Sequence, residues 1–216
     1  MNPLMQRRMF APLAVLLAFA VGNVAHADVT PPDELVKSVT AQLRGEIKER
    51  RDELKADPNA MQALIEELVV PHFDIPRITR LVLGLHGRDA SPEQLERFGE
   101  AFKSMLFRSY TNALVEYEDS VEIEWRPLRL APDATRATVQ STLIRKDAPP
   151  VPIGFVMQRQ DAGWKVFDLT VENISLVNNF RAQLNSQIGR DGLDAVTKKL
   201  EGGEIEVAPT IEGQGS

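Results

Sequence analysis

The chain is 216 residues long, 43% of them hydrophobic and 26% charged, with no cysteine and a formal net charge of −6. Zero cysteine excludes disulfides, thiolate metal sites, a cysteine nucleophile and the acylated cysteine of a bacterial lipoprotein. The acidic balance argues against nucleic acid as a partner and against a purely electrostatic grip on an anionic membrane.

Arg7 and Arg8 precede an apolar run from Met9 to Val21, and Ala25-His26-Ala27 offers a small-x-small cleavage site. This is the pattern of a secretory signal, and the run is shorter than the roughly 20 apolar residues of a spanning helix. Cleavage after Ala27 is therefore expected, and the loss of the two leader arginines takes the formal charge to −8. Arg7-Arg8-Met9-Phe10 also fits part of a twin-arginine signal, but nothing in the chain points to a cofactor that must be loaded before export. What remains is long enough for one substantial core, and no later apolar stretch could span a bilayer, so a soluble exported protein is expected.

The helical period dominates residues 31–118. Asp33 to Lys55 reads as one long helix opened by Pro31-Pro32, with Leu35, Val39, Leu43, Ile47 and Leu54 at helical spacing. Asp57-Pro58 caps a second helix through Met61, Leu64, Ile65, Leu68 and Val69, which the chain leaves at Pro71. Asp74 opens a short third helix carrying Ile78, Leu81, Val82 and Leu85. Ser91-Pro92-Glu93-Gln94 has the form of a capping box with proline at the first helical position. The fourth helix follows, with Leu95, Phe98, Phe102, Met105, Leu106, Tyr110, Ala113, Leu114 and Tyr117 on one stripe.

After Asp119 the period becomes twofold. Val121, Ile123 and Trp125 alternate with Glu122, Glu124 and Arg126; Ala137, Val139, Ser141 and Leu143 alternate with polar neighbours; Val151 to Gln158 presents Ile153, Phe155 and Met157. Turn chemistry at Asp133-Ala134, Asp147 to Pro150 and Asp161-Ala162-Gly163 separates these runs, so residues 120–173 predict a four-stranded antiparallel meander. The fourth strand is unusual: Trp164 and Val166 occupy one phase, Phe167, Leu169 and Val171 the other, which calls for apolar company on both faces. Closing helices are expected over 175–200, the first begun by Ser175 with Leu176, Val177, Phe180 and Leu184 inward, the second from Arg190 to Leu200. Residues 202–216 read as a flexible tail.

Catalytic chemistry is sparse. Of three histidines, His26 leaves with the leader, and neither His72 nor His86 has a ligand partner at helical spacing. No nucleophile elbow, zinc-helix motif or phosphate-cradling glycine loop is present. Glu46, Glu49, Asp52 and Glu53, interleaved with Lys48, Arg50 and Arg51, read as a solvated helix face. Asp168 is the carboxylate with two readings: a general base of the ketosteroid-isomerase kind, or a structural group in a salt bridge or at a helix terminus.

Several stretches together resemble the MlaC family of toluene-tolerance or periplasmic phospholipid-binding proteins. They are Val82-Leu83-Gly84, Ala90 to Gln94 with Phe98 and Phe102, Tyr110, Trp164 to Leu169, and Ile174-Ser175-Leu176-Val177 with Phe180-Arg181. The resemblance runs from the first helix to Leu200, with departures at Gly87, where an aromatic is usual, and Asn173, where glycine is usual.

The resemblance implies an α+β fold: helices packed on a curved four-stranded antiparallel sheet of the NTF2-like kind, enclosing an apolar cavity in one phospholipid-binding domain over residues 28–201. It also implies a soluble periplasmic carrier in a Gram-negative cell, with no cofactor beyond phospholipid cargo and no enzymatic activity. The cargo would pass between an outer-membrane lipoprotein and porin complex and an inner-membrane ABC transporter with MCE-domain subunits, in the system that maintains outer-membrane lipid asymmetry. A diacyl lipid has about 30 methylenes, and exposing them at about 0.8 kcal/mol each would cost on the order of 20 kcal/mol or more, so a soluble carrier must enclose the chains. Leu81, Phe102, Leu106, Tyr110, Leu143, Phe155, Met157, Val166, Leu169, Ile174 and Val177 are the expected lining, although each would suit an ordinary filled core equally well. An NTF2-like enzyme acting on a small apolar substrate through Asp168, and a ligand-free periplasmic adaptor with an exposed apolar patch, are the alternatives.

Overall fold

The computed structural model describes residues 29–146 and 148–205. The expected leader and cleavage site, residues 206–216 of the expected tail, and the side chains of Asn112, Ala113 and Tyr117 lie outside that description. Helices α1 (Pro32–Glu49), α2 (Arg51–Ala56), α3 (Pro58–Leu68), α4 (Ile75–Leu83) and α5 (Pro92–Tyr117) come first. Strands β1 (Val121–Trp125), β2 (Arg136–Arg145), β3 (Ala148–Gln160), β4 (Gly163–Val171) and β5 (Ile174–Ser175) follow, and α6 (Leu176–Asp191) and α7 (Leu193–Glu201) close the chain.

Local chemistry sets most helix starts. The Asp57 and Asp74 carboxylates accept from the backbone N–H groups of Asn59 and Arg77 at 2.9 and 3.2 Å. Ser91 and Gln94 form the reciprocal capping box, each accepting the other's backbone N–H at 3.2 and 3.0 Å. The expected single helix from Asp33 to Lys55 is instead two, broken at Arg50, whose backbone (φ −112°, ψ 24°) leaves the helical region. Apolar spacing carries through the break, so it leaves no mark on the pattern: Ile47 and Leu54, seven residues apart, bury into one cluster with Met61, Leu64, Ile65 and Val115.

The mixed architecture, helices with an open antiparallel sheet, is present, but the sheet has five strands in the order β1-β2-β3-β4-β5 rather than four. The extra strand arises because Glu172 and Asn173 both take positive φ (51° and 66°), turning the chain in two residues so that Ile174 pairs with Val171. A bulge answers the question posed by the fourth strand. Met157 pairs with Val166 while Val156 pairs with Asp168, so Phe167 is the inserted residue and the phase of β4 shifts there. Trp164, Val166, Leu169 and Val171 therefore share one face. Phe167 turns to the other, under the Arg77 and Arg136 guanidinium groups at 3.9 and 5.2 Å from its ring centroid.

Among the described residues three apolar clusters form. One joins α4 to α7 around Phe98, Phe102, Leu184 and Leu200, another packs α1 to α3 against Val115, and the third lies on the sheet. Gly99 lets α5 approach α4 closely: a Cβ there would stand 2.7 Å from Thr79 Oγ1.

Candidate functional site

The cross-strand register arranges the apolar face of the sheet in rows. Ala137, Met157 and Val166 form one; Val139, Phe155 and Leu169 the next; Trp125, Ser141, Ile153, Val171 and Ile174 a third; and Ile123, Leu143 and Val151 a fourth. At the first end the face is filled. Val36 of α1 packs with Ala137, Val139, Met157, Trp164 and Val166, and Leu35 and Phe73 close in from the side. Toward the other end burial falls away: Ile123, Leu143, Val151, Ile153, Phe155, Leu169, Val171 and Ile174 are all only half-buried. Ser141, 3% exposed, is the polar residue within these rows.

Helix α5 shows the same incompleteness. Its first half buries Phe98, Ala101, Phe102 and Met105 among α4, α6 and α7, and further along Val115 joins the α1–α3 cluster. Between those two faces, Leu106, Tyr110 and Leu114 follow at four-residue steps, with Leu106 and Tyr110 half-buried and Leu114 42% exposed. The principal contacts of α5 run to α4, α7, α3 and α2, while those of the sheet run to α1, α4 and α6. The longest helix and the open half of the sheet thus each keep an incompletely buried apolar surface, and neither is among the other's principal neighbours.

The expected lining residues divide accordingly. Leu143, Phe155, Leu169 and Ile174 lie on the half-buried rows, Phe155 and Leu169 also packing against the filled end, and Leu106 and Tyr110 lie on the α5 stripe, Leu106 bordering the helical cluster. Met157 and Val166 sit in the filled end of the sheet face at 0% and 2% exposure. Phe102 and Val177 sit in the helical cluster, Phe102 edge-on to Phe180 at 5.2 Å, and Leu81 borders that cluster. Ile123, Val151, Ile153 and Val171 belong to the same open rows and are not among the expected lining residues. Strand alternation in the sequence carried their apolar character, and only the register shows which rows lie open. Two surface hollows, of about 620 Å³ beside Asn59, Gln62 and Glu66 and about 250 Å³ beside Arg97, Ser104 and Glu201, hold none of these residues.

Asp168 is engaged structurally. Ser175 Oγ donates to its Oδ2 at 2.6 Å and the Val177 backbone N–H to its Oδ1 at 3.1 Å, fastening the start of α6 to β4. His72 is held below its usual pKa by burial and by the neighbouring Lys165 charge. Among the described residues no group of three or more His, Asp or Glu side chains could hold a metal ion, and no helix is long and apolar enough to cross a membrane. The arrangement offers apolar walls and, at Asp168, no free carboxylate facing them.

Comparison with known proteins bears on those walls. A family model described as MlaC protein matches residues 37–202. The toluene tolerance protein ttg2D of Pseudomonas putida is 30% identical over 197 residues, covering 91% of this chain and 89% of its own. The intermembrane phospholipid transport system binding protein MlaC of Haemophilus influenzae is 23% identical over 205 residues, covering 93% and 95%. Among solved structures, a phospholipid-binding protein from Ralstonia solanacearum in complex with a phospholipid is similar with a TM-score of 0.71 at 26% identity, over 79% of this chain and 94% of that one.

Proposed function

The chain belongs to the MlaC family, and from that premise we propose that it is a periplasmic phospholipid carrier, holding acyl chains between the open half of its sheet and the stripe on α5. The observation that carries this reading is the incompletely buried apolar surface itself. The rows from Leu143 to Ile174 are half-buried, as are Leu106 and Tyr110 on the α5 stripe, while Leu114 is 42% exposed. A ligand made of methylenes is what such surfaces favour, at about 25 cal/mol for each Å² removed from water. The Ralstonia solanacearum relative, which holds a phospholipid, supports that ligand class.

On this reading Leu106, Tyr110, Leu143, Phe155, Leu169 and Ile174 contact the chains, joined by Val151, Ile153 and Val171. Phe102, Met157, Val166, Val177 and Leu81 support the walls by packing behind them. The headgroup stays in water, so headgroup selectivity is weak. The chain carries no nucleotide motif, and the energy for directed movement comes from partners. We assign these as an outer-membrane lipoprotein and porin complex on one side and an inner-membrane MCE-domain transporter on the other, in keeping with the name of the Haemophilus influenzae relative. The enzyme alternative needs a carboxylate free to act, whereas both Asp168 oxygens hold the start of α6. The test is acquisition of lipid: purified protein incubated with vesicles of labelled phosphatidylglycerol should emerge from gel filtration carrying label. A protein that emerges unlabelled, when it was also empty beforehand, overturns the carrier reading.

A further inference from the structure

The Tyr110 hydroxyl is a fully buried side-chain oxygen with no hydrogen-bond partner among the described residues. Buried tyrosine hydroxyls ordinarily find one, and leaving such a group unmatched costs about as much as a lost hydrogen bond. Burial also holds the Tyr110 pKa above its usual value of 10.0, so the oxygen keeps its proton and remains a donor at neutral pH. Its neighbours on the stripe, Leu106 and Leu114, have no polar side-chain atoms to offer. Among the described residues no acceptor meets this buried donor.

A ligand seated between α5 and the sheet would change that. Acyl chains bring with them, at their heads, the carbonyl oxygens of their ester links, which are good acceptors joined directly to the apolar part of the molecule. We propose that Tyr110 is a polar anchor for the carried lipid, its hydroxyl donating to an acyl-ester carbonyl when the chains occupy the space between α5 and the sheet. The inference rests on the carrier reading and narrows it: the ligand class becomes ester-linked glycerolipids in preference to ether-linked ones. It also supplies a difference between the two states of the carrier, since the loaded state satisfies a donor that the empty state leaves unmatched, and a ligand shifts a conformational equilibrium only through such a difference.

The test uses Tyr110→Phe and two probes with the same headgroup and chain length, diester phosphatidylglycerol and its diether analogue. Two quantities are measured: thermal melting of the delipidated protein, and retention of each probe against excess acceptor vesicles. Delipidated Tyr110→Phe should melt no lower than wild type, because an unmatched hydroxyl has been removed. Wild type should retain the diester about fivefold better than the diether, and the substitution should abolish that preference by weakening diester retention about fivefold. A lower melting temperature for the delipidated variant would mean that the hydroxyl has a partner within the protein, and would overturn the inference. Equal diester retention by the two proteins would overturn it while leaving the carrier reading intact. A wild-type protein that takes up neither probe removes the carrier reading, and the anchor with it.

Discussion

Ser175 Oγ donates to Asp168 Oδ2 at 2.6 Å, and through this contact the sheet hands over to the closing helices. The same hydroxyl accepts the Asn178 backbone N–H at 3.1 Å, so one serine both caps α6 and fastens it to β4. Asp168→Ala should leave the hydroxyl and the Val177 N–H short of an acceptor and lower stability by about 1–3 kcal/mol. Asp168→Asn, which keeps one acceptor oxygen, should cost less. Denaturant titration of the two variants checks the order. Equal and negligible losses would show that the contact does not hold α6 in solution.

The rows of the sheet face predict opposite outcomes for similar substitutions. Ile174→Asp places a carboxylate on a half-buried row, where water can reach it, and should abolish phospholipid copurification while costing less than about 1 kcal/mol of stability. Val166→Asp buries an unpaired charge in the filled end, where Val166 is 2% exposed, and should destabilise by about 4 kcal/mol or more, so that little folded protein is recovered. Circular dichroism and lipid extraction of both variants check this. Lipid retained by folded Ile174→Asp would remove Ile174 from the lining.

Acid should weaken the fold through His72. Burial, reinforced by the Lys165 charge, holds its pKa below the ordinary 6.5, so the unfolded chain takes up this proton more readily than the folded one. The contribution of His72 to stability is therefore undiminished above pH 6.5 and shrinks as the pH falls below that value through the lowered folded pKa. Depressed carboxylates follow at lower pH: Asp33, bound by Lys37, loses its contribution as the pH drops below the ordinary 3.8. Stability measured at pH 7.5 and pH 5 should differ more in wild type than in His72→Gln. An identical difference in the two proteins would assign the acid sensitivity elsewhere.

Local signals in the sequence proved sufficient wherever the determining chemistry was itself local. The caps at Asp57, Asp74, Ser91 and Ser175 lie within three residues of the groups they satisfy, and each stands in the structure where its spacing placed it. The break at Arg50 was not legible, because neither proline nor glycine marks it and the apolar spacing continues across it. Nor was β5, since its turn uses Glu172 and Asn173 at positive φ, a conformation that glycine would have advertised. The doubled face of the fourth strand was visible as a pattern, but its cause is a bulge specified by pairing with β3, which no single strand reveals. The candidate site was legible only as composition. Met157 and Ile153 are alike as apolar alternating residues of one strand, and what separates them is that Met157 packs with Val36 of α1 in the filled cluster while Ile153 stays half-buried.

The most direct test is organic extraction of freshly purified, never-delipidated protein, followed by quantitative lipid mass spectrometry. A carrier whose sheet and α5 stripe are parted by acyl chains should yield phospholipid in about equimolar amount, with mixed headgroups. Protein that is folded and monodisperse yet yields no phospholipid would mean that these apolar surfaces close on each other in solution, and it would contradict the proposed function.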